Sequence, residues 1–401
     1  MKRKNALETP FKNQEETCLS EKNLLNREFV VVTLSGFIFF FNFHSFLLLP
    51  LRIKGLGGSE SDIGFIMGAA GLSTIFSTPA VGILVDRFGR KWFIALGGLL
   101  MSLTTLPFAF LQALSFWFFL LRVMHGIAFS FCFVAAGTLT ADVAPVSKRS
   151  QALGLFGVFT IVNYAFAPFV GKRIIEYYGF DAFFITVCIF GFLSFLLALL
   201  IREPDKEVLY VRGSSMLSTL FRKGVFVSAF VLMISGSGFI PTLTFIPVYA
   251  KEVGIGSFDL FFISYTLSAL LVRIFGGWIP DKIGKKRAAV PSLFFFALSV
   301  IGISFVSSAI HFIEVGIVFG LSHGLVYPSI YALVIDLSPE VDRGKAFAIC
   351  SVSFTFGGMV GSFLYGIVAE LFGFHTMYIL AGLVCLVGFF VFSFFGREGY
   401  G

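Results

Sequence analysis

Charge is scarce in this chain. Only 13% of its 401 residues are Asp, Glu, Lys or Arg, where a soluble globular domain carries about a quarter, and this excludes a water-solvated fold. Cysteine is scarce too. The five present (Cys18, Cys132, Cys188, Cys350 and Cys385) are odd in number and lack C-x-x-C spacing, so they read as packing residues, not as a disulfide or metal framework. Five scattered histidines and no nucleotide-binding motif or acid–base constellation speak against a metalloenzyme and against an enzyme generally. No cofactor and no metal is expected. The most specific absence is that of acid: no Asp or Glu lies near the middle of any apolar run, whereas His44, Arg122, His125, Arg273 and His323 do lie within such runs.

What is there is apolar. Hydrophobic residues make up 57% of the chain and the mean hydropathy is +0.91. Runs long enough to cross a hydrocarbon core of about 30 Å cover 29–50, 63–84, 92–112, 115–140, 151–171, 180–201, 224–250, 258–279, 288–308, 310–337, 345–369 and 374–396. They predict an all-α polytopic membrane protein with twelve spans in two sets of six and the lipid bilayer as solvent. The opening Met1-Lys2-Arg3-Lys4 has the charge of a signal peptide. Its apolar run begins only near Phe29, is too long and lacks a small-residue cleavage site, so no cleavage is expected. The 56 phenylalanines form no motif and read as ordinary lining of the spans.

Basic residues orient the chain, because cytoplasmic segments hold the excess. With the N-terminus inside, 23 of the 30 Lys and Arg fall in inner segments and five outside: Arg52, Lys54, Lys172, Arg173 and Lys251. Both termini are expected in the cytoplasm of a cell-membrane protein. The net charge of +7 is then an inner-surface bias and requires no nucleic acid.

The chain is also written twice. Gly82-x-x-x-Asp86-Arg87-x-Gly89-Arg90-Lys91 recurs 195 positions later as Gly277-x-x-x-Asp281-Lys282-x-Gly284-Lys285-Lys286. Pro50, Lys54, Gly57 and Asp62 reappear as Pro247, Lys251, Gly254 and Asp259 at an offset of 197, and Asp142-x-x-Pro145-x-x-x-Arg149 as Asp336-x-x-Pro339-x-x-x-Arg343 at 194. The twin loops resemble the G-x-x-x-D-[RK]-x-G-[RK]-[RK] signature that the major facilitator superfamily of secondary transporters carries after its second and eighth spans. Arg122-x-x-His125-Gly126 is similar to that family's R-x-x-Q-G motif in span 4, with His in place of Gln. Gly154, Gly157, Ala167-Pro168 and Gly171 resemble a degraded antiporter signature in span 5, with Lys172 where a further Gly is expected.

The resemblance implies two pseudo-symmetric six-helix bundles that rock against each other. A tail of residues 1–28 precedes the first bundle (29–201), a cytoplasmic linker (202–223) leads to the second (224–396), and a tail (397–401) ends the chain. It implies that the loop residues Gly82, Asp86, Arg87, Gly89, Arg90, Gly277, Asp281, Lys282, Gly284 and Lys285 form a cytoplasmic gate, with Gly82 and Gly277 letting a neighbouring helix come close. Pro280 makes the second copy unequal to the first. Spans 1, 4, 7 and 10 line the cavity in this family, which makes Asn42, His44, Arg122, His125, His323 and Tyr327 candidate cavity residues, and the intramembrane Arg273 of span 8 is added to them. Arg122, Gly126 and Ser130 share one face of span 4, facing the cavity or, for Arg122, snorkelling to the outer interface. Gly316, Gly320 and Gly324 form a close-packing strip in span 10, beside a face carrying His323, Tyr327 and Tyr331. The Gly- and Pro-rich stretch from Ser235 to Pro247 reads as a flexible gate helix, with bends at Pro168 and Pro241. The expected function is proton-coupled efflux of a small polar or anionic molecule by a monomer of the efflux-permease branch. An importer of an organic anion or sugar, or a non-transporting sensor or scaffold, stand as alternatives.

Overall fold

The computed structural model describes residues 24–145, 148–203 and 215–398. Residues 1–23 with Cys18, the linker residues 204–214 and the last three residues lie outside the described range. Among the described residues the chain is helical throughout, without a strand. The helices are α1 (Arg27–Ser45, continued by Leu49–Gly55), α2 (Glu60–Phe88), α3 (Lys91–Thr105) and α4 (Phe116–Val143). A single run, Arg149–Leu199, holds α5 (149–178) and α6 (180–199). Then come α7 (Lys223–Glu252), α8 (Asp259–Phe275), α9 (Lys285–Ile303), α10 (Ala309–Asp336), and α11 (343–372) with α12 (374–395) in the run Arg343–Phe395.

Both long runs turn on one glycine. Gly179 (φ 82°) and Gly373 (φ 80°) sit in the left-handed region that a side chain disfavours, so a span returns across the bilayer without a loop. The expected twelve spans are present. One boundary differs: the run 258–279 ends as a helix at Phe275, and Pro280 opens a separate short helix, Ile279–Ile283. In the first copy α2 continues unbroken to Phe88. Gly276-Gly277 followed by Pro280, which has no N–H to extend a helix, accounts for the break.

The first six spans pack mainly on one another, as do the last six, and α2–α11 and α5–α8 join the two sets. Apolar burial shows where they join. One core cluster mixes residues of both halves, among them Phe46, Ile53 and Ile63 with Leu243, Phe245 and Phe261, all toward the end of the bundle opposite the twin loops. Toward the loop end the core splits into one cluster around Val85, Ile94 and Ala136 and another around Val225, Ala289 and Ile330. The halves are sealed together at one end and parted at the other.

Small residues permit the seal. A Cβ on Gly366 would lie 2.7 Å from the Glu60 carbonyl oxygen, and one on Gly64 would collide with that of Ser362. Backbone meets backbone here across the two halves. The strip Gly316, Gly320 and Gly324 likewise packs against α8, where added Cβ atoms would meet the carbonyl oxygens of Phe261, Tyr265 and Ala269. The stretch Ser235–Pro247 is helical here: α7 runs through Pro241 and Pro247 as one helix. Its glycines let it press on its neighbours, with Gly236 against the Phe354 carbonyl and Gly238 against Cys385.

Candidate functional site: the cleft between the halves and its two ends

The twin loops each turn on a left-handed glycine, Gly89 (φ 90°) and Gly284 (φ 102°). Arg90 reaches Asp86 (3.7 Å), Asp142 (3.4 Å) and Glu203 (3.6 Å). The Glu203 carboxylate also accepts the backbone N–H groups of Arg90, at 2.7 and 2.9 Å, and of Lys91. These are the free donors at the start of α3, where an anion is favoured. In the second copy Lys285 pairs with Asp336, Arg287 pairs with Glu398 at 3.4 Å, and a Cβ on Gly284 would meet the Glu398 carboxylate at 2.7 Å. Arg87 and Lys282 lie over the rings of Phe88 and Trp278.

Sequence reading missed Glu203 and Glu398. The signal was available, since Arg202-Glu203 and Arg397-Glu398 end the two halves 195 positions apart. Asp86 is 62% exposed, and Asp281 is exposed. In this arrangement a Cβ on Gly82 would meet nothing within 4 Å, and one on Gly277 only the carbonyl of Arg273. With the halves parted at this end, the partner surface stands away.

The candidate cavity residues divide into two groups. His44 on α1 donates its Nδ1–H to the Phe40 carbonyl (2.8 Å), and its ring centre lies 4.0 Å from that of Tyr164 on α5. Tyr164 in turn faces Phe239 of α7 and Tyr265 of α8, at 6.0 and 5.8 Å between ring centres, across the division between the halves. His323 on α10 stacks on Phe239 (4.1 Å, 14° between planes), and its Nδ1 lies 3.5 Å from the Tyr265 hydroxyl. Tyr327 and Tyr331 continue the row along α10. Tyr164, Arg273, His323 and Tyr327 are each partly exposed, while Tyr265 and Phe239 close the site toward the sealed end. Of the phenylalanines read as ordinary lining, Phe239 thus stands at this site among the tyrosines.

Arg122 and His125 lie elsewhere. They are 4% and 0% exposed, inside the first half. The Arg122 guanidinium covers the Phe46 ring at 5.3 Å and sits 3.5 Å from the His125 ring nitrogen. His125 also meets the Thr105 hydroxyl at 3.2 Å. Arg122 does not snorkel. The rest of its face is a packing seam with α2: Gly126 gives its carbonyl to Thr74, and Ser130 meets Ser77 and Thr78. Asn42 is fully buried and ties α1 to α6 through the Val187 carbonyl and to α3 through Thr105, so it has no face on the cleft. Pro168 and Pro241 lie inside continuous helices.

The family model described as Major Facilitator Superfamily matches residues 31–317 and again 250–400. The chain belongs to the Major Facilitator Superfamily. It is similar to the multi-drug resistance efflux pump PmrA of Streptococcus pneumoniae, 26% identical over 353 residues that cover 84% of this chain and 87% of the relative. It is similar also to the staphylopine export protein of Staphylococcus aureus, 23% identical and covering 87% and 91% of the two chains. The fold matches the solved nucleoside transporter NupG, with a TM-score of 0.78, 15% identity and coverage of 94% and 100%. A solved D-xylose-proton symporter matches with a TM-score of 0.76, 17% identity and coverage of 92% and 97%.

A transporter of this superfamily has to open at either end, and here the sealed end carries an ion pair whose Lys the sequence reading took for a departure from pattern. Lys172 of α5 bonds to Asp259 of α8 at 2.6 Å, joining the halves. Both side chains are largely buried, so removing one partner leaves the charge of the other unpaired in a poorly solvated place. Asp259→Asn is expected to favour the state open at this end by about fivefold or more, seen as faster labelling of a cysteine placed beneath the seal. Unchanged labelling would show that the pair does not hold the gate.

Proposed function

We propose that this superfamily member is a secondary active exporter of small polar or anionic molecules, carried by protons across the cell membrane, with both termini in the cytoplasm. The 23-to-5 distribution of Lys and Arg supports this orientation. In it the parted end faces the cytoplasm, where an exporter loads. Residues 29–201 and 224–396 act as the two rocking bodies, with 202–223 as their connector. The protein works as a monomer and catalyses no reaction.

The observation that carries the reading is the cluster of Tyr164, Tyr265, Arg273, His323 and Tyr327, drawn from both halves and meeting where the shared core ends. An intramembrane cation is costly and marks a substrate or ion path. His323 is the proton carrier, since histidine is the side chain whose unperturbed pKa, near 6.5, lies in the physiological range, and of the three candidate histidines it stands partly open at the meeting of the halves. The names of the relatives, a multi-drug efflux pump and an export protein, support export over import.

Everted membrane vesicles test the direction. Acidifying their lumen should drive accumulation of substrate inside, and accumulation only in right-side-out vesicles would replace export by import. The gate is tested in the same assay. Asp86→Asn is expected to slow transport roughly two- to fivefold, the effect of about 0.3–1 kcal/mol when a carboxylate docks at a helix N-terminus, with membrane insertion unchanged. Asp281→Asn, beside the break at Pro280, should be milder. Full activity in both variants would remove the gate role.

A further inference from the structure

Arg273 lies about 21 Å along α8 from its start at Asp259, taking 1.5 Å per residue. Its Cβ leans back toward that start, as helix side chains do, and so away from the nearer membrane surface. Its Nε is buried and has no hydrogen-bond partner among the described residues. The groups it faces are Tyr164 of α5, Tyr265 of its own helix, and His323 and Tyr327 of α10, none of them a carboxylate. A guanidinium partly withdrawn from water, with no carboxylate facing it and its Nη groups still open to the cleft, is a place for an anion brought by the substrate. The Nε of Arg122 is unpaired too, but Arg122 is enclosed beside Phe46 and His125 and presents nothing to the cleft.

His323 shares this setting. Its neighbours are Phe239 of α7, Tyr265 and Arg273 of α8, Tyr327 of α10 and Phe354 of α11, which lines the same narrow cleft. A proton on His323 and the charge of Arg273 repel each other. An anion bound at Arg273 would relieve that repulsion and draw a proton in with it, giving co-movement in one direction. Exchange of substrate for proton requires the opposite: the substrate has to place a donor of its own on the imidazole lone pair, so that the proton and the substrate exclude one another.

We propose that the transported molecules are zwitterions with a planar ring: a carboxylate at Arg273, an ammonium or equivalent donor at His323, and the ring against Tyr164, Tyr327 and Phe239. Both charges are met in one site, and no carboxylate of the protein is needed. The inference rests on the export-by-exchange reading, and binding separates the two because it does not depend on direction.

The experiment is titration calorimetry on the purified full chain in detergent with four probes that share a ring: 4-(aminomethyl)benzoate, 4-methylbenzoate, 4-methylbenzylamine and 4-methylbenzyl alcohol. The expected order places the zwitterion at least tenfold ahead of the anion, with cation and alcohol weakest, and its binding should weaken as pH falls and His323 is protonated. Arg273→Gln should erase the advantage of both carboxylates, and His323→Gln should bring the zwitterion level with the anion and remove the pH dependence. Thermal unfolding of each variant shows that it is folded. The proposal is overturned if 4-methylbenzoate binds as tightly as the zwitterion, if 4-methylbenzylamine binds best, or if no probe binds to the folded wild type. If the zwitterion binds as expected but everted vesicles do not accumulate it, the export reading fails while the site assignment stands.

Discussion

Gly64→Val is expected to abolish transport while leaving a folded protein in the membrane. Gly64 on α2 lies against the Ser362 carbonyl on α11, and a side chain there has no room. The obstacle is backbone, which cannot swing aside as a side chain does, so the sealed arrangement carries the cost of overpacking, typically 1–3 kcal/mol. The contact joins the halves only while this end is closed. The penalty therefore falls on one state, shifting the balance by about 5- to 150-fold toward the state open at that end. Labelling Leu243→Cys, a position buried in the shared core, with a membrane-impermeant thiol reagent should become fast in the Gly64→Val background. Gly126→Val is the contrast. Its Cβ would strike Ser73 and Ala70 on α2, inside one half, and this packing persists in every state, so the folded yield should drop instead. Wild-type transport by Gly64→Val would mean that the α2–α11 seal is not part of the cycle.

Replacing His323 by Gln should remove gradient-driven accumulation and preserve exchange of substrate at equal pH. One pH unit corresponds to about 1.4 kcal/mol, and so supports about tenfold accumulation for a one-proton exchange; the variant should lose that factor. Gln keeps a polar side chain facing Tyr265 but takes up no proton near neutral pH. His125→Gln should behave differently. His125 is sealed between Phe46, Phe108, Thr105 and Arg122, so its replacement should lower thermal stability while coupling remains. His44→Gln, next to Tyr164, should alter substrate affinity. Retention of full pH-driven accumulation in His323→Gln would pass the proton role to another group.

The sequence by itself determined the twelve spans, the duplicated halves and the two loops. Bilayer thickness converts directly into run length, and a repeat is visible as spacing. It also identified the intramembrane ionisable groups, because a charge in an apolar run stands out in one dimension. Only the tertiary structure decided which of them meet. Arg122 and Arg273 read alike as cations in a span, yet helix packing encloses the first over Phe46 and leaves the second between the halves beside Tyr164. Tyr164, Tyr265, Glu203 and Glu398 acquire their roles from partners far away in the chain, and no local pattern encodes a partner. Lys172 reads as a flaw in a glycine motif until α8 brings Asp259 to within 2.6 Å of it. Which end is sealed is likewise absent from the sequence, since near-duplicate halves can close at either end, and the arrangement seen is set by which backbone surfaces are in contact.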